Sequence, residues 1–274
     1  MFNWTLFAIL LLICVPGILV SLPQLVRQLH QLTADKLPPG KEPPPTPVLI
    51  VAGSVQYLLL AAAAAAAGVL LAPRVGLSAP FFAALATGQW AWTAVTDQLV
   101  PALLAGGGGA LLFVAAYYGF FRPRLEPQTV RASEALRREM GMASRLLYGG
   151  VFEEVLTRWG LMTLLVWLGS LLVGEVTAVL VWAAIILSGV IFGLLHLPSY
   201  VMAGSRATPF FVAYMVVMNL WASLIFGWLF WQFGLLAAIL AHMLFHLVWW
   251  PFDRRHFAAD TGVAAETERK AHAI

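Results

Sequence analysis

The stretch 146–173, LLYGGVFEEVLTRWGLMTLLVWLGSLLV, is long and apolar enough to cross a bilayer, yet it carries Glu153, Glu154 and Arg158. A charged side chain near the centre of a spanning helix costs roughly 2.5–3.5 kcal/mol. Three of them together cost about 8–10 kcal/mol if nothing compensates them. Such a cluster inside a span points to chemistry, and the surrounding sequence narrows which chemistry.

The same pattern of apolar runs extends over the whole chain. Of 274 residues, 61% are hydrophobic and only 11% charged, less than half the charge of an ordinary soluble domain. Mean hydropathy is +0.85. The runs do not alternate in the way that barrel strands do, so the expected fold is all-α, a polytopic membrane bundle. The lone Cys14 excludes disulfides and cysteine-based metal sites within one chain. The net charge of +3 resides in loops that flank spans and gives no indication of nucleic-acid binding.

Seven spans are expected, at about 4–22, 48–72, 98–121, 146–173, 176–197, 209–231 and 233–250. The first lacks a basic leader and a small-residue cleavage site, so it is read as a retained helix. The seven alanines Ala61–Ala67 suit close helix packing. Phe81–Thr96, with Gln89, Trp90 and Trp92, is expected to be one interfacial or re-entrant helix that does not cross. Gly106–Gly109 reads as a kink or a close backbone approach, not as a phosphate loop. Arg122–Arg145 is expected to be a basic amphipathic helix at the lipid headgroups, and Pro251–Ile274 a polar tail. His30, His256 and His272 are expected to be solvated.

With the N-terminus outside, the inner loops collect Arg27, Lys36, Lys41, six linker arginines, Arg206, Arg254, Arg255, Arg269 and Lys270, while the outer loops hold only Arg74. That bias sets the orientation, with a cytosolic C-terminus.

Two later spans carry further polar groups, Phe192-x-x-x-His196 and His242-x-x-x-His246. At about 100° per residue, positions i and i+4 share a helix face. Phe192 and His196 therefore share a face, as do His242 and His246, and Glu154 and Arg158. Glu154 with Arg158 reads as an ion pair that neutralises two charges within one helix. Glu153 points about 100° away and has no such local partner. The orientation above puts Glu153, His196, His242 and His246 in the inner half of the bilayer, where three helices can bring them to one cavity.

A carboxylate beside an imidazole can take and pass on a proton, letting water attack a carbonyl, while other histidines donate to the oxyanion. Zinc held by Glu and His with an open position is the other chemistry open to these residues. There is no His-Glu-x-x-His helix. Either chemistry hydrolyses an amide within the membrane. The rival classes are an ion- or proton-coupled transporter, against which stands the lack of an inverted repeat, and a catalytically silent scaffold or immunity protein.

The ordered set Glu153-Glu154-x-x-x-Arg158, Phe192-x-x-x-His196 and His242-x-x-x-His246 resembles the CAAX-protease and bacteriocin-processing (CPBP, or Abi) family, which includes the Ras-converting CAAX endopeptidases. The resemblance covers about 146–250, as a catalytic helical core between N-terminal helices with their linker (1–145) and the tail (251–274). It implies a glutamic-type intramembrane endopeptidase in which Glu153 and His196 activate the attacking water. His242 and His246 would stabilise the oxyanion, with Glu154, Arg158 and Phe192 in support. The last motif position is usually Asn or Asp in that family and is His246 here; imidazole can still donate, or can ligate zinc. No resident cofactor is implied beyond that zinc alternative. The partners implied are a membrane-associated protein or peptide substrate and the lipid bilayer. The oligomeric state is not specified. The alanine-, arginine- and tryptophan-rich composition suggests a GC-rich bacterial genome and hence a bacterial plasma membrane.

Overall fold

In the computed structural model the backbone is described for residues 1–34, 42 and 44–271, and side chains for these residues except 31–34 and 257–271. Lys36, Lys41 and the side chains of Arg269, Lys270 and His272 lie outside the described residues. Among the described residues every regular element is helical. Seven helices are long and apolar enough to cross a membrane: Trp4–His30, Thr46–Arg74, Trp92–Arg124, Pro127–Val173, Ala178–Met202, Pro209–Phe233 and Leu235–His256. The protein is an all-α polytopic bundle, and these helices are its first to seventh spans.

Local chemistry sets the helix ends. Thr177 and Thr208 cap the fifth and sixth spans, their hydroxyls accepting from Leu180 N and Phe211 N at 3.2 Å. Within Pro127–Val173 the first part, Pro127–Ser144, is the linker helix, which bends internally at Gly141, whose φ of +64° is open to glycine at little cost, and the crossing part of the fourth span begins at Arg145.

The fourth span lies at the centre. It packs against the first, second, fifth, sixth and seventh spans. Ala61, Ala64 and Ala65 of the alanine tract turn inward, and Trp159 Nε1 donates to the Ala65 carbonyl at 3.3 Å. In the third span Gly106 ends a π-helical turn, and a Cβ there would stand 2.9 Å from Ala241 Cα of the seventh span. The glycine run thus serves a close backbone approach.

Three sequence expectations are corrected. Phe81–Thr96 is not one helix. Pro80–Ala86 forms a short helix, the chain breaks over 87–91, and Trp92–Thr96 opens the third span. Trp92–Thr96 run on through Asp97 and Gln98 as one helix, with Gln98 buried and its side-chain amide donating to the Ala94 carbonyl one turn back. The linker is also more than a headgroup helix. Thr129, Ser133, Glu134 and Arg137 recur at helical spacing and form a buried polar stripe. Finally, the segment after Pro251 continues the last helix to Ala271, and Asp253 within it is completely buried. His256, expected in solvent, stacks on Tyr118 at 4.3 Å.

Candidate active site

The helix that carries the acidic motif is not a regular α-helix. Arg145–Glu153 and Val155–Met162 both have π-helical hydrogen bonding, with Glu154 between them. Widened turns of this kind are uncommon and gather at functional sites, because they re-aim side chains that a regular helix would space evenly. Glu154 and Arg158 nevertheless meet. Their Oε2 and Nε lie 3.3 Å apart with both side chains fully buried. Neither atom has hydrogen-bond geometry, so this is a charge pair and not a directed bond. Arg158 Nη1 donates to the Thr157 hydroxyl at 2.6 Å, and that hydroxyl donates to the Glu153 carbonyl at 2.6 Å. The guanidinium also faces the rings of Phe192 (5.8 Å) and Phe226 (5.5 Å), which adds cation–π attraction in a dry interior.

Glu154 has a second partner that helical spacing did not reveal. Its Oε1 accepts from His242 Nδ1 of the seventh span at 2.7 Å. His242 is held on both faces, by Phe226 (centroids 4.7 Å, 22°) and by His246 (5.0 Å, 24°). With Nδ1 engaged and the ring clamped, its other nitrogen, Nε2, lies 4.0 Å from Glu153 Oε2.

His196 approaches Glu153 from the fifth span. Its Nδ1 donates to the Phe192 carbonyl at 2.8 Å, one turn back on its own helix. A carbonyl can only accept, so Nδ1 carries the proton and the neutral ring offers a lone pair at Nε2. That Nε2 lies 3.9 Å from Glu153 Oε1. The Phe192 ring meets the imidazole edge-on at 4.4 Å, so Phe192 orients His196 through both backbone and side chain.

Glu153, His196 and His242 therefore converge from three spans, with Glu154, Arg158 and Phe192 behind them. His246 is one turn along the seventh span. It stacks on His242, and its Nε2 is so close to Gly149 that a Cβ there would stand 2.6 Å from it. It is not among the described groups within 4.0 Å of Glu153, and its buried Nδ1 has no hydrogen-bond partner. Phe226 and Thr157 were not singled out in the sequence. An aromatic among apolar residues, or a threonine within a span, gives no signal there.

Glu153, His196 and His242 are donor types that zinc accepts. As arranged they do not form a ligand set: among the described residues no group of three or more His, Cys, Asp or Glu side chains could hold a metal ion.

Residues 140–248 match the model of the Rce1-like family, described as type II CAAX prenyl endopeptidase Rce1-like. The matched segment contains all three motifs, and the family is the one that the motifs resemble. No curated protein and no solved structure matches the chain.

Proposed function

We propose that this protein is an intramembrane endopeptidase that hydrolyses a peptide bond in a membrane-associated protein or peptide tail, with water activated by Glu153 and His196. One observation carries the proposal. The Glu153 carboxylate faces Nε2 of His196 at 3.9 Å and Nε2 of His242 at 4.0 Å. Both distances exceed a direct hydrogen bond, and both suit one water bonded to carboxylate and imidazole at once.

In this mechanism the water oxygen attacks the scissile carbonyl carbon while Glu153 takes its proton. His196, with its lone pair at Nε2, relays that proton to the departing amine nitrogen as the C–N bond breaks. The products are a carboxylic acid and an amine. Negative charge develops on the carbonyl oxygen, and His242 and His246 are its assigned donors. His242 enters the step with both nitrogens protonated, its second proton taken from solvent before substrate binds, so that Nε2 donates, and Glu154 on the far side of the ring balances that charge. An orienting carboxylate does the same for the general base of a serine protease. His246 contributes the unpartnered Nδ1. Adjacent positions on the helix aim the two glutamates differently, Glu153 toward the proposed water and Glu154 toward His242. No metal has a part in it.

The family description, type II CAAX prenyl endopeptidase, makes a prenylated peptide ending in a CAAX sequence the first substrate to try. Peptide signals and C-terminal sorting tails are the other members of the class. The proposed setting is a bacterial plasma membrane with the N-terminus outside and the C-terminus cytosolic, supported by the inner-loop excess of arginine and lysine. The test is purified protein in detergent, incubated with a fluorogenic prenylated CAAX peptide and with membrane-anchored tail peptides. Cleavage by the native protein and none by Glu153→Gln is expected. Normal cleavage by Glu153→Gln overturns the assignment.

A further inference from the structure

The described residues contain a second buried polar cluster, centred on Asp253, which lies beyond the end of the matched segment. This carboxylate is fully buried and is reached from three elements. Tyr118 of the third span donates its hydroxyl at 3.0 Å. Arg137 of the linker helix approaches at 3.3 Å, and Arg145 at the start of the fourth span pairs with Oδ2 at 2.9 Å. Arg145 also donates to the Arg137 carbonyl at 2.7 Å, and Glu134, on the same helix as Arg137, holds Arg122 at the end of the third span at 2.7 Å. Arg137 lies over the Trp249 ring at 4.7 Å and Arg145 over Trp250 at 4.9 Å.

The position of Asp253 along its own helix gives the cluster its meaning. Residues 242, 246, 249 and 253 follow one helical stripe, and the eleven-residue step from His242 to Asp253 makes about three turns, or ~16 Å. That stripe meets the fourth span at three levels. His242 bonds Glu154, His246 lies against Gly149, and Asp253 pairs with Arg145. The first contact is a hydrogen bond and the third an ion pair, and at the middle one a Cβ on the fourth span would stand 2.6 Å from His246 Nε2. Sliding or rotating one helix against the other breaks all three together.

We propose that Asp253 is a positioning residue of the active site. By pinning the cytosolic end of the last helix to Arg145 and Arg137, it holds His242 and His246 in register with Glu153 and Glu154. The catalytic part of this proposal rests on the hydrolase function proposed above, whereas the register part does not.

The test uses the full chain in detergent with the fluorogenic prenylated CAAX peptide, and nitrogen-15 spectra of the histidine rings as a second readout. The His242 Nδ1–H signal is identified by its absence in His242→Gln. In Asp253→Asn, kcat is expected to fall roughly a hundredfold, the loss that a displacement of about 1 Å brings, with KM within about twofold. The His242 signal shifts, and Asp253→Glu recovers most of the rate. Where Asp253→Asn does not fold, Asp253→Asn with Arg145→Gln removes a stranded guanidinium along with the carboxylate. That double variant is expected to fold and to show the same fall in kcat. A folded variant with native kcat and an unmoved His242 signal overturns the proposal. If the native protein cleaves none of the peptides, the hydrolase function fails, and the His242 signal alone decides whether Asp253 sets the register.

Discussion

Glu154 and His242, 88 residues apart, share a hydrogen bond of 2.7 Å between the fourth and seventh spans. The same carboxylate stands 3.3 Å from Arg158, so it balances a buried guanidinium and aims an imidazole at once. Adjacent glutamates thus have separate partners. Glu153 faces the Nε2 atoms of two histidines, and Glu154 supports one of those rings from behind.

Replacing Glu154 with Gln is accordingly expected to damage both fold and rate. Arg158 is left buried without a counter-charge, which costs about 3–5 kcal/mol. In the proposed mechanism His242 also loses the carboxylate that balances its second proton, and kcat is expected to drop by roughly 10²–10⁴. Thermal unfolding in detergent and peptide turnover together check this. Reduced stability with an unchanged rate in the folded fraction would show that Glu154 acts on Arg158 alone.

Glu153→Gln separates the two glutamates. The side chain is largely buried and has no direct ion pair shorter than 3.9 Å, so an amide of the same shape is expected to leave the melting temperature unchanged or raise it. Turnover is expected to fall by at least about 10²–10⁴. The informative measurement is both quantities on one preparation; a variant that melts early points to a structural part for Glu153.

His196→Ala is expected to lose turnover on the same scale, because it removes the imidazole proposed to relay the proton. Phe192→Leu keeps the backbone carbonyl that holds His196 Nδ1 and removes only the edge-on ring. A loss of about tenfold or less is expected there, read as kcat at saturating peptide. Equal losses in the two variants would show that the ring, not the carbonyl, sets the imidazole.

Gly149→Ala tests the middle contact between the fourth and seventh spans. The new methyl meets His246 Nε2 at 2.6 Å, and overpacking of this kind typically costs about 1–3 kcal/mol. A lower melting temperature and lower kcat are expected, with Gly149→Ser no better. Native behaviour in both variants would show that His246 has room to move.

Cleavage is expected to survive a strong zinc chelator such as 1,10-phenanthroline. Inactivation that added zinc reverses would replace the glutamic mechanism with a metal-assisted one.

Much of this was legible in the sequence. Apolar runs of bilayer length set the all-α bundle, because a backbone in lipid must satisfy its hydrogen bonds within each helix. The excess of Arg and Lys in alternate loops set an expected orientation, and the rare polar residues inside spans marked Glu153, Glu154, Arg158, His196, His242 and His246 as candidates. Charges are too costly in lipid to occur there without use. The pairing of those residues was not legible. A regular helical wheel assigns Glu154 to Arg158 and stops there, since it knows nothing of a neighbouring helix. The bond to His242, the stacking of Phe226 and the burial of Asp253 against Arg137 and Arg145 depend on how distant segments pack. In a linear reading Asp253 is one charge in a polar tail, and Arg137 and Arg145 are two among six linker arginines. Only the tertiary structure removes these three groups from water, and burial turns a common surface charge into a contact that two helices must satisfy together.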